Sequence, residues 1–119
     1  MIKSEIMFEF VLRIKKRPYM YLNNKKRMGD FSCCVLGYEL GYHRCCHEND
    51  FSTSADNTHW KAFLTALCQK YAINSPWYHE LTECCGSDET AYNAFMEECE
   101  AFLISHYGES EFREMYDKL

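Results

Sequence analysis

The apolar residues recur three and four positions apart along almost the whole length of the chain, and this spacing limits what it can fold into. Ile6, Phe10 and Ile14 repeat in this way near the start, with Leu12 between them. Phe31, Cys34, Val35, Tyr38, Tyr42 and Cys45 do so next, then Trp60, Phe63, Leu64, Leu67, Cys68 and Tyr71. Tyr92, Phe95, Met96, Cys99, Phe102, Leu103 and His106 make the last long stripe. This is the spacing of one face of an α-helix. No alternation of period two runs far enough for a strand, and no hairpin turn pair is present. The expected fold is therefore all-α, a bundle of five or six helices in one domain over residues 1–119. At 119 residues with 47% hydrophobic side chains, the chain can fill one core but not two.

Local signals set the expected boundaries. A first helix over 3–16 stops at Pro18, because the residue before proline avoids the helical region. Gly29-Asp30 opens a second helix with Asp30 as N-cap, running to about residue 47. Gly37 and Gly41 lie inside it. Each costs about 1 kcal/mol relative to Ala, so another helix is expected to pack closely there. Glu48 to Asn57 is polar and reads as a loop, and the third helix starts at His59 or Trp60. Ser75 and Pro76 are N-cap and first-position residues for a short fourth helix, Trp77 to Cys85, closed by Gly86. Ser87 caps the fifth helix, Gly108 ends it, and Ser110 starts a last short one to Tyr116.

Charge is divided unevenly. Residues 1–27 carry eight Lys and Arg against Glu5 and Glu9, a net of +6. Residues 28–119 carry five against sixteen Asp and Glu, a net of −11, and together these make the −5 of the whole chain. An acidic body is a poor general binder of nucleic acid, which needs basic surface. It would instead steer a basic protein toward itself. Lys15-Lys16-Arg17 and Lys25-Lys26-Arg27, with Tyr19 and Tyr21 between them, have the look of an RNA-binding strip. A basic helix end followed by a solvated turn accounts for them better, and neither nucleic acid nor membrane is an expected partner. No apolar run approaches the roughly 20 residues of a membrane helix. No cleavage site follows Ile6 to Leu12, so the expected location is the cytoplasm.

The eight cysteines are Cys33, Cys34, Cys45, Cys46, Cys68, Cys84, Cys85 and Cys99. Six form adjacent pairs, which bridge each other only with strain. They read as thiols that pack as small hydrophobes. Cys33, Cys34, His43, Cys45, Cys46 and His47 are close enough in sequence to suggest zinc, and His43 with His47 has the i, i+4 spacing of two helix-borne ligands. No C-x-x-C spacing accompanies them. A zinc-binding regulatory or adaptor protein is the alternative function; no metal or other cofactor is expected. No glycine-rich phosphate loop, G-x-S-x-G or marked thiol points to an enzyme, and no catalytic residue is assigned.

The remaining candidate is an acidic surface set with aromatics. Glu80, Glu83, Asp88, Glu89, Glu97 and Glu100 form a negative tract, which Glu48 and Asp50 could extend. Tyr78, Tyr92 and Phe51 are available as anchors, since interface hot spots favour aromatics. This combination suits the basic cleft of a nuclease. The partner-binding residues expected are Glu48, Asp50, Phe51, Tyr78, Glu80, Glu83, Asp88, Glu89, Glu97 and Glu100.

Arg17-Pro18-Tyr19-Met20-Tyr21-Leu22 resembles the R-P-G-M-Y-L-G signature of small helical bacterial proteins. In that family the signature precedes a helix ending in a G-Y pair, matched by Gly37-Tyr38 and Gly41-Tyr42. A loop, a helix with Phe and Leu, a Trp matched by Trp77, and an acidic, Phe-rich helix matched by Asp88 to Phe102 complete the outline. The likeness covers most of the chain, and the first motif is its specific part. Tyr19 and Asn23 stand where the signature has glycine. The resemblance implies an immunity protein of a polymorphic toxin system, including contact-dependent growth inhibition. Such a protein binds the C-terminal domain of its cognate toxin and neutralises it without catalysis.

Overall fold

The structure is a computed structural model that describes residues 6–23, 25–48, 58–74 and 77–119; at positions 43 and 45–48 it describes the backbone alone. Seven helices and no strand occur among the described residues: α1 Ile6–Lys16, α2 Pro18–Tyr21, α3 Met28–Glu48, α4 Thr58–Tyr71, α5 Trp77–Cys85, α6 Asp88–Tyr107 and α7 Glu109–Asp117. The all-α expectation holds, with one helix more than the upper count. The addition is α2, a single turn that starts on Pro18, whose fixed φ suits a first helical position.

Helix α6 is the centre, packing against α3, α4, α5 and α7. Ser87 begins it, its hydroxyl accepting the Thr90 N–H at 3.1 Å. Gly108 ends it at φ +94, where a side chain would be strained. Tyr92, Phe95, Met96, Cys99 and Leu103 are buried on the expected stripe. His106 is not, lying on the outer side of a last turn whose Ile104 and Tyr107 still pack against the core. It is exposed, stacked on half-buried Phe102 at 5.3 Å and edge-on to His59 at 4.4 Å. Trp60, Phe63 and Leu67 of α4 and Trp77 and Leu81 of α5 cover the inner side of α6.

Two stripes differ from expectation. On α1 the buried set is Met7, Phe8, Val11, Leu12 and Ile14, while Ile6 and Phe10 lie at its edge. Phe8 reaches Trp60 at 5.4 Å and Phe102 at 5.9 Å, whereas Phe10 turns to stack on Tyr38 of α3 at 4.0 Å. Helix α1 thus packs on two sides, and its buried arc is wider than one i, i+4 row. On α3, Phe31 and Val35 are buried and Cys34 and Tyr38 partly so. Gly37 and Gly41 face outward, and a Cβ on either would meet nothing within 4 Å. Among the described residues, no helix packs closely on them.

Helix boundaries follow the caps. Helix α3 starts two residues before Asp30, which lies in its first turn. The cap comes from another helix: Gly29 N–H donates to Asp88 Oδ1 at 2.7 Å. A carboxylate there satisfies one orphan donor and complements the helix dipole. Glu48 ends α3 instead of opening the loop, and residues 49–57 lie outside the described residues, as do Ser75 and Pro76. Helix α7 begins at Glu109, one residue before the expected Ser110.

The end of α4 carries no glycine, yet it closes as a Schellman motif. Ile73 N–H donates to Cys68 O at 3.0 Å, Ala72 N–H to Gln69 O at 3.3 Å, and Ile73 is buried. This puts Ala72 at φ +54, a conformation in which Cβ crowds the backbone. Ala72→Gly should raise stability by about 1 kcal/mol. Urea denaturation at neutral pH would check it, and a loss would mean that the turn is not left-handed. Asn23 has a similar backbone at φ +49. It is a residue that tolerates left-handed geometry, at the position where the resembled signature has its second glycine. Tyr19 is inside α2, where no such freedom is needed.

Candidate protein-binding surface

Helix α2 is too short to bury four large residues. Leu22, just beyond it, points inward with 4% exposure, and its N–H closes the turn on Pro18 O at 2.7 Å. The inward turn of Leu22 leaves Tyr19 63% and Met20 62% exposed. Tyr21 is held at the edge, 6.0 Å edge-on to Phe10, with its carbonyl accepting the Cys34 thiol at 3.8 Å. The chain thus displays an aromatic and a thioether on a turn fixed from behind. Such side chains suit a protein contact, offering large contact area or easy adaptation.

The basic front divides into bound and displayed cations. Lys15 donates to Glu100 Oε2 at 2.8 Å, and Arg113 lies 3.5 Å from the other oxygen of the same carboxylate. Lys16 donates to the Tyr116 carbonyl at 2.9 Å and lies 5.3 Å from the centre of the Tyr116 ring. These two lysines fasten α1 to α6 and to the C-terminal end of α7, where a cation complements the helix dipole. Lys25, Lys26 and Arg27 are exposed and line an open hollow of about 440 Å³ together with Glu89.

The expected acidic tract is likewise divided. Asp88 caps α3 and Glu100 binds Lys15 and Arg113. Glu80 accepts the Asn74 N–H ahead of α5. Glu83 lies 3.2 Å from His79 Nε2, and Glu89 faces the basic triplet across the hollow. Glu97 is exposed on the outer ridge of α6. Tyr78 is half-buried against the core, edge-on to Trp77 at 5.8 Å, and Tyr92 is buried. The Glu48 side chain, Asp50 and Phe51 lie outside the described residues.

The sequence reading did not single out Tyr19, Met20 and Tyr21 as exposed apolar side chains; it weighed the two tyrosines as part of an RNA-binding strip and preferred a solvated turn. Their signal was an apolar run between Pro18 and Asn23 that is too short to hide every member. It also left out Leu40, which is 71% exposed and falls off the predicted stripe of α3.

Among the described thiols, Cys34, Cys68 and Cys85 are pushed up by burial, and Cys99, which is completely buried, to about 12. A nucleophilic thiol needs the opposite shift. All six described cysteines are free thiols. No group of three His, Cys, Asp or Glu side chains that could hold a metal occurs among the described residues. The side chains of His43, Cys45, Cys46 and His47 lie outside them. No helix among the described residues is long and apolar enough to cross a membrane.

No family model matches this chain, and no curated protein or solved structure shows significant similarity to it.

Proposed function

We propose that this chain is an immunity protein, which binds the C-terminal domain of a cognate toxin and blocks it. The observation that carries the reading is the display of Tyr19 and Met20 on α2, inside the segment that resembles the family signature. Anchors carried on a turn whose backbone is already closed by a hydrogen bond lose little backbone freedom on binding. The net charge of residues 28–119, with Glu97 exposed among them, would steer a cationic toxin such as a nuclease toward the chain. Neutralisation by occupation needs no catalytic group.

The test is growth rescue. The C-terminal domain of whatever large protein is encoded just upstream is induced in a sensitive host, with and without this chain. Rescue with a co-purifying one-to-one complex is the expected outcome. Equal arrest in both cultures, with this chain soluble and expressed, would refute the reading. In the complex, joint exchange of Tyr19 and Met20 for Ala should weaken affinity about 30-fold or more, the loss of a hot spot. The melting temperature should stay unchanged, because both side chains are exposed. Glu97→Lys should weaken binding more at low salt than at high. Glu97 is the clean probe of steering, since Glu100→Lys would also break the contacts to Lys15 and Arg113.

A further inference from the structure

The fold decides which cations are used inside the molecule and which are left for a partner. Arg13, Lys15, Lys70, Arg113 and Lys118 each reach a carboxylate, and Lys16 reaches the carbonyls that end α7. Arg44 is engaged within the chain as well. Arg17, Lys25, Lys26, Arg27 and Lys61 have no side-chain partner among the described residues. All of these but Lys61 bracket α2. They stay unpaired although acidic residues outnumber Lys and Arg by 18 to 13 in the chain.

The backbone holds the triplet Lys25-Lys26-Arg27 outward. Leu22 is buried on one side of it and Met28 on the other. Lys25 N–H donates to Leu22 O at 2.8 Å, and Arg27 N–H to Lys25 O at 2.9 Å. Arg27 O accepts the Phe31 N–H at 3.0 Å, which opens α3. With both flanks drawn into the core, the three cationic side chains between them remain exposed. The hollow they line holds one carboxylate, Glu89. Asp88, beside Glu89 in α6, is committed to the Gly29 N–H. Positive charge is thus in excess there, in a chain whose net charge is −5.

Charge and apolar surface together say what fits. Tyr19 and Met20 lie between Arg17 and the triplet, 63% and 62% exposed. The complement of this surface sets apolar side chains between carboxylates. A nucleic-acid strand would run on over the acidic body, which repels phosphate, whereas a short acidic segment ends within the basic patch. We infer that Arg17, Lys25, Lys26 and Arg27, with Tyr19 and Met20 between them, dock an acidic, apolar segment of a partner protein. This rests on the toxin-binding reading in taking α2 as the contact, and adds that the toxin surface gripped there is locally acidic. A cationic toxin can carry such a segment, because steering follows net charge and contact follows local charge.

The probe is a short fluorescein-labelled peptide of Glu pairs separated by single Leu residues. Its anisotropy is followed as the full chain is added up to about 1 mM, the weak end of the affinity scale. Saturable binding that weakens at high salt is the expected result. The same peptide with Gln in place of Glu should bind about tenfold more weakly or worse. Joint exchange of Lys25 and Lys26 for Gln should weaken binding of the acidic peptide as much, with the melting temperature unchanged, whereas Lys61→Gln on α4 should leave it as it was. No binding, or binding indifferent to the Lys25 and Lys26 exchange, would overturn the proposal. Tighter binding of a labelled oligothymidylate of equal length would overturn it in favour of nucleic acid. The probe contains no toxin, so failure here is separate from failure of growth rescue.

Discussion

Phe95→Ala should lower the unfolding free energy by about 3–5 kcal/mol, the range for removing a fully buried aromatic. Phe95 has no exposed surface and lies at the centre of α6. Its ring is 4.9 Å from Trp77, 5.0 Å from Phe31, 5.4 Å from Phe63 and 6.3 Å from Trp60. Those four rings come from α5, α3 and α4, so one truncation opens a void shared by four helices. The neighbours are themselves held from behind and cannot all move inward to fill it. Against a total of about 5–15 kcal/mol for a domain, such a loss leaves little margin. Urea unfolding followed by tryptophan fluorescence would measure it, because Trp60 and Trp77 line the void. Phe102→Ala should cost clearly less, since Phe102 is only half-buried. Equal costs would mean that the core is not centred on Phe95.

Stability should also fall steeply above pH 9. Burial pushes the Cys99 thiol from its ordinary 9 up to about 12, and the Tyr92 hydroxyl from 10 up to about 12. Each group stays protonated in the folded chain where the unfolded chain has already released its proton. Between those values the native state binds more protons, so unfolding becomes easier as pH rises. The contribution is fully present below the unfolded value and is lost on the way up to the folded one. A tenfold difference in proton affinity between the folded and unfolded chain corresponds to about 1.4 kcal/mol, so the two groups together amount to several kcal/mol by pH 12. Urea midpoints at stepped pH would show the decline. In Cys99→Ala the part between pH 9 and 10 should flatten, because only Tyr92 remains and it titrates later. A midpoint constant from pH 8 to 11 would mean that neither group is shut away from water.

Much of the fold was legible because it rests on local physics. Ser87 and Gly108 bracket α6 as their chemistry requires, and α5 runs from Trp77 to Cys85 as read. The stripes of α4 and α6 held except at His106, which is exposed on the outer side of its turn. What was not legible depended on partners distant in sequence. Nothing near Gly29 announces that its N–H is capped by Asp88, 59 residues away. The Ala72 turn carries no glycine to mark it, because Ile73 is drawn into the core and the backbone follows.

The candidate surface divides the same way. Negative and positive charges could be counted from the residues, but not which of them would be spent inside the molecule. Lys15, Lys16, Asp88 and Glu100 became internal fastenings, while Lys25, Lys26, Arg27 and Glu97 stayed outside. Helix formation, caps and the amphipathic period act over a few residues, so the sequence alone determined an all-α chain and most of its helix limits. Which face of each helix is left uncovered depends on how the helices stack. Only the tertiary structure therefore decided that Tyr19, Met20 and Leu40 lie in the open, because an exposed side chain is one that no other helix has reached.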